Sequence, residues 1–148
     1  MYIETAPLFG YWTFGTPRAA TTADISHLIT SFAHEAQYLE KAGFDGINLQ
    51  AAHSYLLAQF LSPCTNKRTG AYGGTLTNRM CLITEIVQDI RRCVSSSFIV
   101  SVNLNSTDFQ ENSFKPSDAR KLVRILQDDI GIDFVELSGG TYEHPGLE

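Results

Sequence analysis

Three short apolar runs, each preceded by a stretch with helical spacing, constrain this chain more than any other feature. Residues 44–49, 98–104 and 133–137 are bounded by Gly or Ser and are rich in Val, Ile, Leu and Phe, the pattern of buried parallel strands. Ahead of the first run, Ile25, Leu28, Ile29, Phe32, Ala36 and Leu39 recur at three- and four-residue steps. Thr21 or Thr22 suits the N-cap of that helix, Asp24 its first turn and Gly43 the position just past its end. A second helix carries Leu82, Ile83, Ile86, Val87, Ile90 and Val94, with Thr77 or Asn78 as its cap, and Ser95–Ser97 breaks it. A third starts at Pro116, turns Ala119, Leu122, Val123 and Leu126 inward and ends at Gly131. Helices alternating with strands at this spacing predict parallel βαβ units in sequential order, with the helices on one face. The pattern by itself leaves open a piece of a barrel and a small open sheet.

Chemistry in such folds gathers at the carboxyl ends of the strands. The first strand runs into Gln50, His53 and Tyr55, all able to donate or accept hydrogen bonds. The second carries Asn103 near its end. If the strands are parallel, these four residues point to one end of the sheet. Residues 55–61 have room for a helical turn or two before Pro63, and 64–77 form a long loop ordered by turn chemistry.

Several classes are disfavoured. A formal net charge of −5 argues against nucleic acid or an anionic membrane as the main partner. No apolar run reaches the roughly 18 residues of a transmembrane helix, and residues 1–6 lack the features of a signal peptide. Cys64, Cys81 and Cys93 make an odd set without metal-ligand spacing, so they read as reduced thiols of a cytoplasmic protein, with no metal site. Residues 1–20, with Phe9, Tyr11, Trp12 and Phe14 among Gly and Pro, read as an irregular aromatic-rich N-terminal stretch.

The block from Gly43 to Arg79 carries more specific information. Gly43-Phe-Asp-Gly46, Ala52-His-Ser-Tyr55, Gln59-Phe-Leu-Ser-Pro63, Asn66 with Arg68-Thr69, Tyr72-Gly-Gly74 and Asn78-Arg79 follow without a gap. This block resembles the old yellow enzyme family, the FMN-dependent NAD(P)H:flavin oxidoreductases and ene-reductases. The likeness extends from about Thr16 to Tyr142. It implies a partial (β/α)8 TIM barrel, about strands four to six with their helices, because 148 residues fall short of the roughly 250 of a full barrel. On this view residues 1–148 form a single incomplete barrel segment.

The resemblance also implies roles. Tyr55 matches the proton donor to the substrate alkene. His53 matches one of two residues that hold the substrate's electron-withdrawing group, and Gln50 stands where the family has the other, a His. Asn103 stands where the family has an Arg or Lys beside the flavin N1 and C2 oxygen. Further departures are Gly70 for Asp, Thr77 for Glu and Cys81 for Arg. Arg68, Asn78 and Arg79 are retained and read as hydrogen-bonding struts of the long loop. The reaction implied is hydride transfer from NAD(P)H to FMN and on to an activated alkene such as an enone. The chain lacks the phosphate-anchoring strands of the family, so it reads as truncated, with weak or absent FMN binding and doubtful activity when alone. The alternative is a non-catalytic interaction protein, self-associating or pairing with a complementary barrel piece through its open sheet edges and an exposed apolar face.

Overall fold

The structure, a computed structural model, describes residues 18–142. The aromatic-rich N-terminal stretch expected from the sequence therefore lies outside the described residues, apart from residues 18–20.

Helix α1, Thr22–Lys41, opens on a capping box. The Thr21 hydroxyl accepts the Asp24 N–H at 3.1 Å, and the Asp24 carboxylate accepts the Thr21 N–H at 2.7 Å. Gly43, at φ 90°, turns the chain out of the helix where a side chain would be strained. Strand β1 is Gly46–Ala51, followed by the short helix α2, Leu56–Leu61. Helix α3 is Leu76–Cys93 and strand β2 is Ile99–Asn105. Helix α4, Pro116–Arg124, passes into a wider turn, Ile125–Ile130, and strand β3 is Phe134–Ser138.

The three strands are parallel and ordered β1-β2-β3. The ladder pairs Gly46 with Ile99, Gln50 with Asn103, and Asn103 with Glu136. Gly46 is needed there, because a Cβ would stand 2.5 Å from the Ile99 carbonyl oxygen. Strands β2 and β3 each lie one residue later than the expected 98–104 and 133–137, and two further expectations shift. Strand β1 begins two residues later than Phe44 and keeps Gln50 and Ala51, so Gln50 is a ladder residue rather than the first loop residue. The cap of α3 is Thr75, neither Thr77 nor Asn78. Its hydroxyl follows the Gly73-Gly74 break directly and accepts the Asn78 N–H at 3.3 Å.

The core lies between the sheet and one layer of helices. Leu49, Ala51, Val100, Val102 and Leu104 point into it and are buried against Ile83, Ile86, Val87 and Ile90 of α3 and Ala33 and Ala36 of α1. Leu122 and Leu126 close its far side. Helices α1 and α3 share the most extensive helix–helix seam. Alternate strand residues face away from the helices. That open face is apolar at its foot, with Ile99 and Phe134 exposed, and polar above, with Asn48, Gln50, Ser101, Asn103 and Glu136. The exposed apolar face expected from the sequence is thus confined to the foot, because the period-two pattern of β1 and β2 reserves polar residues for this side.

The foot is stitched by Arg91. Its guanidinium donates to the Gly131 and Phe98 carbonyls at 2.9 and 2.8 Å and to the Asp133 carboxylate at 2.6 Å. Asp133 Oδ2 also accepts the Val100 N–H at 2.7 Å. The Val100 amide, and then Arg91, hold the Asp133 carboxyl below the ordinary carboxylate range. A depressed folded-state value contributes stability above about pH 4, the unfolded value, and loses it as pH falls through the folded one. The urea midpoint is therefore expected to drop between pH 6 and pH 3, and Asp133→Asn to flatten part of that drop. An identical pH profile in the variant would show that Asp133 plays no part in acid unfolding.

Candidate active site

The loops after β1, β2 and β3 meet at the carboxyl end of the sheet. All four non-glycine residues with positive φ among those described lie in the first two of them: His53 and Ser54 after β1, Phe109 and Asn112 after β2. Each such residue costs about 1–2 kcal/mol, so the surroundings must hold it. Gln59 Nε2 donates to the Ser54 carbonyl at 2.7 Å, and Asn105 Oδ1 accepts the His53 N–H at 3.3 Å.

Asn105 is the hub of this end. It is 2% exposed, and its amide donates to Asp108 at 2.9 Å and to the Gly140 carbonyl at 2.7 Å. One side chain therefore touches the loops after all three strands. Asp108, also buried, accepts the Phe114 N–H at 3.2 Å. Ser106 donates to the Ser138 carbonyl through its N–H and its hydroxyl, at 2.7 and 2.9 Å. The Tyr142 N–H donates to Ser54 Oγ at 3.1 Å.

Among the four residues singled out from the sequence, Gln50 and Asn103 are ladder partners on the open face. Gln50 Nε2 stands 3.4 Å from His53 Nδ1. Tyr55 is the N-cap residue of α2, two residues beyond His53, and is 61% exposed. These residues share the carboxyl end of the sheet. Sequence reasoning missed Asn105, Asp108 and Glu136. Asn105 had a signal, since it sits two residues after Asn103 and so on the same strand face.

The long loop is ordered as expected. Asn66 Nδ2 donates to the Phe60 and Tyr72 carbonyls, both at 2.7 Å. Arg68 lies over the Phe60 ring at 5.3 Å and donates to the Ala20 carbonyl. Asn78 Nδ2 donates to the Gly70 carbonyl at 3.3 Å. Arg79 is 7% exposed and donates to the Leu61 and Gly74 carbonyls at 2.7 and 2.6 Å, with Asp118 at 3.8 Å. Tyr72 bonds Glu85 at 2.8 Å, and burial followed by that bond pushes its phenol up to about 12. A hollow of about 220 Å³ lined by Ala19, Gln59, Phe60 and Arg68 holds none of the four candidate residues.

The donor set can be tested against a flavin. Asn103 Oδ1 is buried and has no hydrogen-bond partner among the described residues. A buried acceptor of this kind wants a donor. The amide offers one acceptor and a pair of donors, and the pyrimidine edge of a flavin presents both complements. Asn103 thus fits that edge by hydrogen bonding, without the positive charge of an Arg or Lys. Among the described residues, no group of His, Cys, Asp and Glu is arranged to hold a metal ion, and no helix is long and apolar enough to cross a membrane.

Residues 10–144 match the profile of the NADH:flavin oxidoreductase / NADH oxidase family. The NADH-dependent flavin oxidoreductase nadA of Aspergillus parasiticus is 53% identical over 132 residues, 89% of this chain and 30% of that protein. Among solved structures, a 2-naphthoyl-CoA reductase complex is 31% identical with a TM-score of 0.85, covering 90% of this chain and 20% of its own. Morphinone reductase in complex with tetrahydroNAD is 30% identical with a TM-score of 0.72, covering 84% and 34%. The chain therefore spans about a third or less of the length of these relatives. Its three parallel strands, each preceded by a helix, are a segment of the TIM barrel of the old yellow enzyme homologues. The relatives include NADH-dependent flavin oxidoreductases and an NADPH dehydrogenase, and FMN and NAD(P)H are the family's cofactor and reductant. On the match over residues 10–144, this chain belongs to the NADH:flavin oxidoreductase / NADH oxidase family.

Proposed function

We propose that this chain supplies the substrate-polarising and proton-donating side of an FMN-dependent NAD(P)H oxidoreductase that reduces activated alkenes such as enones. The observation that carries this reading is the shared carboxyl end. Gln50 and Asn103 are adjacent in the ladder, Gln50 lies 3.4 Å from His53, and Tyr55 stands at the N-cap position of the next helix. Bound FMN would supply the two-electron hydride chemistry. The Gln50 amide and His53 imidazole would donate hydrogen bonds to the substrate carbonyl oxygen, where charge develops. The positive φ of His53, held by Asn105, sets the direction from which that ring approaches. The Tyr55 phenol would give its proton to the adjacent carbon and recover it from water. Asn103 would meet the pyrimidine edge of the flavin.

Binding FMN also needs a phosphate anchor and ring contacts beyond these residues, and ordering ligand and loops has an entropic cost. The isolated 148-residue chain is therefore expected to bind FMN more weakly than about millimolar, and Asn103→Lys with Gln50→His is not expected to restore turnover. The test is an FMN fluorescence titration followed by NADPH-driven reduction of a simple enone. Micromolar binding and Tyr55-dependent turnover by the isolated chain would overturn the expectation of dependence on further barrel strands. Absence of both, in a chain completed with the remaining strands, would overturn the functional reading.

One observation favours a second reading, in which the chain acts through association. Strands β1 and β3 each have one unpaired edge within the described sheet, and Leu137 is 64% exposed. Such edges accept further strands. A colourless self-associated or partner-bound species in sedimentation would favour this reading; a yellow protein with flavin absorbance would favour the enzyme.

A further inference from the structure

Among the three strands, Gly46–Ala51, Ile99–Asn105 and Phe134–Ser138, no Lys or Arg occurs, and Glu136 is the one ionisable carboxylate. It is the ladder partner of Asn103 and lies on the open face, where its Oε2 accepts Asn48 Nδ2 at 2.9 Å. That donor is a neutral amide, so it satisfies a lone pair and leaves the formal charge in place. Next to it, Asn103 Oδ1 is buried and unpartnered among the described residues, so nothing beside Glu136 offsets its charge from that side chain's oxygen.

We propose that Glu136 is a specificity-determining residue that biases this face against an anionic ring, favouring oxidised over reduced flavin. The proposal rests on the flavin reading above and goes beyond it. Neighbouring strands stand about 4.8 Å apart, so a ring edge that meets Asn103 also lies within a few ångströms of the Glu136 carboxylate. Oxidised flavin is neutral at its pyrimidine edge. Two-electron reduction concentrates negative charge there, and like charges at this range repel, the more so once a bound ring excludes water. Asn103 offers dipoles alone to offset this. A cation at position 103 would instead pair with Glu136 across one strand spacing.

The experiment works in a barrel completed with the remaining strands and compares the unaltered segment with Glu136→Gln, Asn103→Lys and the double variant. Each is titrated anaerobically by calorimetry with FMN and with dithionite-reduced FMN, up to millimolar ligand. Glu136→Gln is expected to tighten reduced FMN about tenfold and oxidised FMN much less. Asn103→Lys is expected to tighten reduced FMN as well, and in that background Glu136→Gln is expected to bring no further gain. Equal effects on the two redox states, or no effect, would overturn the proposal while flavin binding itself upheld the reading it rests on.

Thermal unfolding of the same four proteins without flavin reads the 103–136 coupling separately. Asn103→Lys is expected to stabilise the chain, and Glu136→Gln to abolish that gain. If the coupling is present and no variant binds either form, both the proposed bias and the flavin reading fall, and the placement of Glu136 beside position 103 stands. If the coupling is absent, the charge geometry behind the proposal is wrong.

Discussion

Replacing Arg79 with alanine is expected to cost about 3–5 kcal/mol of folding stability. The guanidinium is buried and serves three partners: the carbonyls of Leu61 and Gly74 and the carboxylate of Asp118. Truncation leaves the two carbonyls without their donor and strands Asp118, itself 8% exposed, without its cation. An unpaired buried charge is the dominant part of that cost, since each unsatisfied neutral group adds only about 1–3 kcal/mol. Against a total stability of about 5–15 kcal/mol, the variant should sit near the edge of unfolding at ambient temperature. Urea titration followed by circular dichroism measures it. Arg79→Lys keeps the charge and loses the two-pronged geometry, so its midpoint should fall between the two. A loss below about 1 kcal/mol for Arg79→Ala would place it among ordinary surface changes and refute the strut assignment.

Tyr55→Phe is expected to lower enone reduction about 10²- to 10⁴-fold, the usual share of a positioned general acid. NADPH-driven flavin reduction should remain unchanged in the same protein, because no proton is delivered to a substrate in that half-reaction. The measurement belongs in a complete barrel carrying this segment, followed by stopped-flow in the two half-reactions. Tyr55 is 61% exposed at the start of α2 and offers no side-chain cap bond, so removing its hydroxyl should leave the unfolding midpoint in place. Equal losses in both half-reactions, or an unchanged rate with enone, would remove Tyr55 from the donor role.

Element type and order were legible because each strand is bounded by strong punctuation. Gly43, Ser95–Ser97 and Gly131 end helices by known chemistry, and the strands follow within a few residues. Boundaries were less so. Gln50 and Ala51 extend β1 because the ladder with Asn103 and Leu104 continues, a tertiary fact absent from a polar-looking Gln. Thr75 outcompeted Thr77 and Asn78 as cap because the two glycines before it fix where the chain can turn. The struts Arg68, Asn78 and Arg79 were visible as a motif, though their partners are carbonyls that no sequence pattern names. Glu136 had a sequence signal, a charged residue inside a short apolar strand, whereas Asp108 had none: its burial follows from a loop folding back on Asn105.

Asp133 stands immediately before β3 and is held twice over, by the Val100 N–H and by Arg91. That double hold sets the phase of the strand. A slip of one residue along β2 would break both bonds and turn every side chain of β3 to the opposite side. Val135 and Leu137 would then face the polar side, and Glu136 would be driven into the apolar layer under the helices. The clamp at the foot of the sheet thus acts as a proofreader of register, deciding from about three residues away which group, a carboxylate or an aliphatic chain, stands beside Asn103.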